Sequence, residues 1–224
     1  MNNNKYKKAL IFDSSSIITL AMNGLVSILP KLKESFQGSF FITPYVRKEV
    51  VDNPLGIHKF ELEALNILSL IESGTLEIIN PKGLESETQK IKAFANTMFI
   101  AKGEKMKIMH DAECSCMALA SLLTDYKSLL VIDERTARML IENPENLRRL
   151  FENKLHTPVM TAKTPNFKNL NVIRSSELAL IALRKGIISF PASKSDVIEA
   201  LLYASKHNGC SISFDEIQEA KRLF

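Results

Sequence analysis

Two short stretches limit what this chain can fold into. Residues 9–12 read ALIF and residues 127–132 read KSLLVI, and each runs directly into an aspartate, Asp13 and Asp133. An apolar run without alternation suits a strand covered on both faces, which is the situation inside a parallel sheet. In open parallel sheets, ligands bind in the crevice beyond the carboxyl ends of the strands. Both aspartates are therefore expected to face that crevice.

The remaining pattern supplies more strands and the helices between them. SFFIT (39–43) and TLEII (75–79) read as strands, and Val172-Ile173 as a last short one. Ser14–Ser16 can cap a helix whose apolar face runs from Ile17 through Leu25 to Leu29. Thr43-Pro44 reads as a cap followed by proline at the first helical position, opening a helix that carries Glu49. Further helices are predicted over 57–73 (ending at Gly74), 86–101, from Asp111 through CSCMALASLL, over ERTARMLIE until Asn143-Pro144, and over 175–186, 194–206 and 214–223. Residues 157–170 read as a loop. Strands alternating with helices give an α/β fold with a mostly parallel sheet. We expect one domain over 1–190 and a helical C-terminal extension over 191–224 packed on it.

With 224 residues, 46% of them hydrophobic, the chain can bury enough surface to fold without a disulfide or a structural metal. Three cysteines in no regular framework argue for a reducing compartment, and hence for a cytoplasmic location. The basic start leads into an apolar stretch too short for a signal peptide. No apolar run is long enough to span a membrane, so no membrane partner is expected. His110, Cys114 and Cys116 are close in sequence, but a zinc site needs a fourth ligand and thiolates on one face, and the two cysteines fall on different faces of a helix, so buried helix cysteines are expected. No phosphate-cradling glycine loop and no nucleophile elbow is present.

The acids carry the chemistry. Glu49 and Glu113 lie near helix starts and can reach the crevice that Asp13 and Asp133 face. A lone aspartate at a strand end is as often a cap or turn residue; four acids at such places are harder to explain that way. Carboxylates about 4 Å apart repel by roughly 4 kcal/mol per pair at an effective dielectric near 20. Such a cluster persists if a divalent cation neutralises it or some members hold protons. Oxygen ligands select hard ions, Mg²⁺ or Mn²⁺, and such a centre suits phosphoryl chemistry. Residues 147–186 add eight Lys/Arg against two acids. This basic surplus, Arg148 and Arg149 included, either grips a phosphate backbone or forms a solvated face. Lys102, Lys105 and Lys107 precede the third acid and can border the same groove.

ALIFDSSSII near the N-terminus, TPYVRKEVVD (43–52), DAECSCMALA (111–120) and LLVIDERTARML (129–140) occur in the order and spacing of the PIN-domain family. The chain resembles that family of metal-dependent nucleases, which includes the VapC-type toxins. The likeness spans about residues 8–190 and is greatest to a longer variant whose closing element ALRKGII (182–188) echoes. It implies a PIN-like three-layer fold and a Mg²⁺ or Mn²⁺ site held by Asp13, Glu49, Glu113 and Asp133, with Ser15 supporting Asp13. It implies hydrolysis of single-stranded RNA to 3′-hydroxyl and 5′-phosphate ends.

Asp111 and Glu113 compete for the third place. They face about 200° apart on a helix, and the register against Met117–Ala120 favours Glu113, with Asp111 left to cap. Glu134 is a water-mediated ligand or a salt-bridge partner. Arg135 and Arg138 contact substrate phosphate or balance the acids. A homodimer through the tail helices, an antitoxin or other protein partner, and a catalytically silent PIN-fold binding module are further readings. A haloacid-dehalogenase-type phosphatase needs a second aspartate where Ser15 stands.

Overall fold

A computed structural model describes residues 6–163, 167 and 169–223. Thr164–Asn166 and Lys168, within the expected loop and basic segment, and Phe224 of the tail lie outside the described residues.

The centre is a parallel sheet of five strands: β1 (Lys7–Phe12), β2 (Ser39–Ile42), β3 (Glu77–Ile78), β6 (Tyr126–Val131) and β8 (Val172–Ile173), in the order β3-β2-β1-β6-β8. Every pairing in it is parallel. Ala9 to Phe12 are buried because β1 lies between β2 and β6 with helices over both faces, so the run cannot alternate. Chain order reverses between β1 and β6, which makes their carboxyl ends the switch point of the sheet. Asp13 and Asp133 stand on either side of it. The architecture is a three-layer α/β fold with helices flanking the sheet.

Helix α1 (Ser14–Met22) is capped by Asp13, whose carboxylate accepts from the Ser15 N–H, and not by the serine run. The single helix expected from Ile17 to Leu29 breaks at Gly24, where φ is +67°. Leu25 N–H bonds Leu20 C=O at 2.7 Å and Gly24 N–H bonds Ala21 C=O at 2.9 Å, the Schellman pattern that closes a helix. A 3₁₀ turn over Val26–Ile28 leads into α2 (Leu29–Phe36), and α1 and the segment Val26–Phe36 bend by 106°. Among the described residues no single helix is long and apolar enough to cross a membrane.

After β2, Thr43 caps α3 (Pro44–Arg47) through a bond from Val46 N–H, as its sequence predicts. That helix widens into a π-helical turn over Lys48–Asp52. Helix α4 covers Glu61–Glu72. The helix predicted over 86–101 ends early: α5 spans Leu84–Ala95, and Phe99–Ala101 forms strand β4. Strand β4 pairs with β5 (Glu104–Lys105) through a turn in which Lys102 and Gly103 have φ of +51° and +80°, a two-residue hairpin of the I′ kind. β4 also pairs with β7 (Val159–Thr161), a strand inside the stretch expected to be loop.

Helix α6 (Asp111–Leu122) lies against α5 and the sheet; α7 (Arg135–Glu142), α8 (Pro144–Leu155) and α9 (Ser175–Arg184) follow. Asn143-Pro144 ends α7 but also opens α8, since Asn143 accepts from Asn146 N–H and proline suits the first turn. In the tail, α10 (Lys194–His207) and α11 (Phe214–Leu223) pack with α9 around Leu180, Ile198, Leu202, Cys210, Ile212 and Ile217. Val197 and Leu201 of α10 also join the main core. The apolar faces that suggested a dimer are thus buried within the chain. Ser211 N–H bonds Asp133 C=O at 3.0 Å, fastening the α10–α11 turn to the carboxyl end of the sheet.

Candidate carboxylate site

Asp13 sits where β1 hands over to α1, 2% exposed. Its Oδ2 accepts from Ser15 Oγ at 2.6 Å and Ser15 N–H at 3.2 Å, while Oδ1 is buried and has no hydrogen-bond partner among the described residues. Ser15 Oγ in turn accepts from the backbone N–H of Asp133 (3.1 Å) and of Glu134 (3.3 Å), so one hydroxyl ties the ends of β1 and β6 together.

Glu49 lies on the π-helical turn, a distortion often found at functional positions. Ser14 Oγ donates to its Oε2 at 2.6 Å. Glu113, in the first turn of α6, accepts from His110 N–H through Oε2 at 3.1 Å. Two contacts fix the elements that carry these glutamates. Thr43 Oγ and Ser115 Oγ share a hydrogen bond of 2.6 Å that joins the start of α3 to α6. Asn96 accepts from Ile108 and Met109 N–H and donates to Met109 C=O, which sets the approach to α6.

Asp13 stands apart from the two glutamates in one respect: it is held through Oδ2 alone, and its buried Oδ1 has no partner among the described residues, whereas Glu113 accepts from backbone N–H groups and Glu49 from Ser14. Charge links the three in turn, Glu113 acting on Asp13 and Glu49 on Glu113. Burial, helped by the charge of Glu113, raises Asp13 from its ordinary 3.8 to about 7. Burial also raises Glu113, with Glu49 and Glu134 adding to it. No lysine or arginine is ion-paired to Asp13, Glu49 or Glu113 among the described residues. Even so, among the described residues no group of three or more His, Cys, Asp or Glu side chains stands in metal-holding geometry.

Asp133 differs from the other three. It is fully buried, and both its oxygens are engaged by Ser175: Oδ1 with the N–H at 2.8 Å and Oδ2 with the hydroxyl at 2.5 Å. Instead of standing open in the crevice, it anchors the start of α9. Glu134 caps α7 through a 2.7 Å bond from Ala137 N–H and makes no salt bridge among the described residues; its charge reaches Glu113. Asp111 does not cap α6, because the cap position is His110. Its carboxylate pairs with Lys92 at 2.8 Å, turned toward α5.

The basic residues are divided. Arg148 is held by Glu145 at 2.6 Å and Glu152 at 2.5 Å, and Arg149 lies 3.4 Å from the same Glu145. Arg174 pairs with Glu177 and Glu216. Ion pairs thus engage Arg148, Arg149 and Arg174 of the basic residues counted over 147–186, with Glu145 before that window and Glu216 after it as the acids the count left out. Lys105 and Lys107 line a hollow of 560 Å³ together with His110 at the start of α6. No pattern in the chain signals an apolar hollow of 350 Å³ that reaches Glu49, lined by Ile18, Met22, Ile57 and Phe60. Cys114, Cys116 and Cys210 are buried free thiols, and burial raises all three, Cys114 to about 12 and Cys210 to about 11.

No model of a known protein family matches the chain, and no curated protein matches it significantly.

Proposed function

We propose that the chain is a Mg²⁺- or Mn²⁺-dependent endoribonuclease acting on single-stranded RNA, with Asp13, Glu49 and Glu113 as the residues that would hold the ion. The observation that carries this reading is Asp13 Oδ1, a buried carboxylate oxygen without a donor among the described residues, at the switch point of the sheet and beside a second acid that raises its pKa. Burying such an oxygen unpaired is costly unless a proton or a cation meets it. The donor set is all carboxylate, which fits a hard ion. When bound, the ion would supply a water of lowered pKa and offset charge on the phosphoryl oxygens.

The chain's own residues do the rest. Ser14, Ser15 and the His110 N–H orient one oxygen of each acid, and Asp13 Oδ1 is left for the ion. Asp13 holds a proton below about pH 7 when no cation is present. Asp133, clasped by Ser175, keeps α9 and the α10–α11 turn against the site. Lys105 and Lys107 offer charge to a phosphate backbone beside α6, and the apolar hollow next to Glu49 offers a surface for bases.

A second reading, a catalytically silent PIN-fold module that binds RNA or protein, draws on the engagement of Asp133 and on the lack, among the described residues, of three such side chains in metal-holding geometry. Incubation of the full chain with single-stranded RNA and Mn²⁺ separates the two. Cleavage that stops with chelator and in Asp13→Asn supports the nuclease. Intact RNA, with the protein still stabilised by Mn²⁺, supports the silent module. Cleavage that survives both chelator and Asp13→Asn removes the nuclease reading.

A further inference from the structure

The tail builds a basic pocket that the carboxylate site does not use. A space of 710 Å³ lies between α7 and the α10–α11 turn, lined by Arg135, Arg138, Lys206, His207, Ser211 and Ser213. Arg138 is the informative member. Its side chain is only 13% exposed, and its Nε is buried without a hydrogen-bond partner among the described residues. Glu142 Oε2, its ion-pair partner, stands 3.9 Å away, too far for a hydrogen bond. A guanidinium nitrogen removed from water with no hydrogen-bonded acceptor is unfavourable, and an anion held by this arginine in the pocket would offset that cost.

The neighbours suit such an anion. Arg135 is exposed and makes no ion pair among the described residues. The Lys206 ammonium is fixed on the wall by the Ile212 carbonyl and by the Phe214 ring, whose centroid is 4.5 Å away. His207 lies against the Tyr203 ring. Two acids, Asp215 and Glu216, also line the space. Glu216 is committed to Arg174 at 2.7 Å and to the Ser213 N–H at 2.7 Å, and Asp215 is exposed. The cationic side therefore prevails.

We propose that this pocket binds a phosphate group through Arg135 and Arg138, with the C-terminal helical pair closing it. Arginine is suited to this because its planar fork grips phosphate with two parallel bonds. Arg135 lies two residues past Asp133, whose carbonyl accepts from the Ser211 N–H of the same pocket at 3.0 Å, so the pocket stands at the carboxyl end of the sheet. On the nuclease reading, on which this assignment of source rests, the phosphate is a backbone group of the RNA strand next to the one cleaved; a small phosphate ester presents the same chemistry.

The test uses the full chain carrying Asp13→Asn, in chelator, so that binding is read without turnover. A labelled single-stranded oligouridylate is titrated by fluorescence anisotropy at several salt concentrations, and inorganic phosphate is tested by thermal shift. Arg135→Ala with Arg138→Gln should weaken RNA binding about tenfold and reduce the slope of log affinity against log salt by about 0.7 for each phosphate no longer neutralised. Arg135→Glu alone, at an exposed position, should act in the same direction if the double variant does not fold. Stabilisation by inorganic phosphate that the variants lose, without RNA binding, supports the pocket and identifies a small ester as its source. Unchanged affinity and slope together with no phosphate effect overturn the proposal. RNA cleavage by the parent alongside that result would leave the nuclease reading intact, whereas phosphate binding by a chain that never cleaves RNA would sink the nuclease reading alone.

Discussion

Replacing Asp13 with asparagine should make the metal-free protein more stable at pH 8 and less stable at pH 4. Burial and Glu113 raise the Asp13 carboxyl from 3.8 to about 7 in the folded chain. Between those values the folded state keeps a proton that the unfolded state has released, so stability is complete below about pH 4 and falls as the pH climbs through 7. At about 1.4 kcal/mol for each pH unit between the two pKa values, the loss above pH 7 is on the order of 4 kcal/mol. Asparagine carries no charge and escapes that loss. Its amide oxygen can still accept from Ser15, but its NH₂ replaces the unpartnered Oδ1 in a buried place, at a cost of about 1–3 kcal/mol. The balance is a gain of about 1–3 kcal/mol at pH 8 and a loss of similar size at pH 4. For a chain of this length that is a shift of roughly 2–4 °C in Tm per kcal/mol. Thermal or urea unfolding in chelator across pH 4–8 measures it, comparing variant with parent at each pH. A variant that is less stable than the parent by the same amount at both ends, with no crossing, would refute the claim that Asp13 is a destabilised carboxylate.

Other consequences follow from single contacts. Ser15→Ala removes the 2.6 Å donor to Asp13 and the acceptor for two backbone N–H groups, and should cost about 2–3 kcal/mol in urea unfolding; a cost under about 0.5 would deny the link between β1 and β6. Ser175→Ala leaves Asp133 with only the backbone N–H of residue 175 for its carboxylate, and should cost about 1.5–3 kcal/mol; an unchanged midpoint would mean that Asp133 does not anchor α9. The three cysteines should resist a disulfide thiol reagent at pH 8 in the native protein and all react after denaturation, because burial holds the thiols protonated; fast native labelling would contradict their placement.

The strands that position the site were legible because double burial leaves a direct trace, an apolar run with an acid at its end. Thr43-Pro44 was equally readable, since a cap and its proline are local chemistry. Other features depend on partners that sequence does not place. Asp133 has the same local setting as Asp13, yet Ser175, 42 positions later, engages both its oxygens. Asp111 looks like a cap until Lys92, 19 positions earlier, is found beside it. The basic surplus over 147–186 ignored Glu145, which lies one helical turn before Arg148 and Arg149 and so fell outside the count. Phe99–Ala101 continues the apolar pattern of α5, and only the positive φ of Lys102 and Gly103 shows that the chain has turned into a hairpin. The break at Gly24 was hidden for a similar reason, since apolar residues continue at helical spacing on both sides of it.

The claim at the centre of this account is that acids from the end of β1, the π-helical turn after α3 and the first turn of α6 share one cation. Calorimetric titration of Mn²⁺ into the full chain tests it most directly. Saturable binding in the parent that is lost in Asp13→Asn and in Glu113→Gln, and weakened in Glu49→Gln, is the predicted result. No binding in the parent, or binding that these three substitutions leave unchanged, would contradict it.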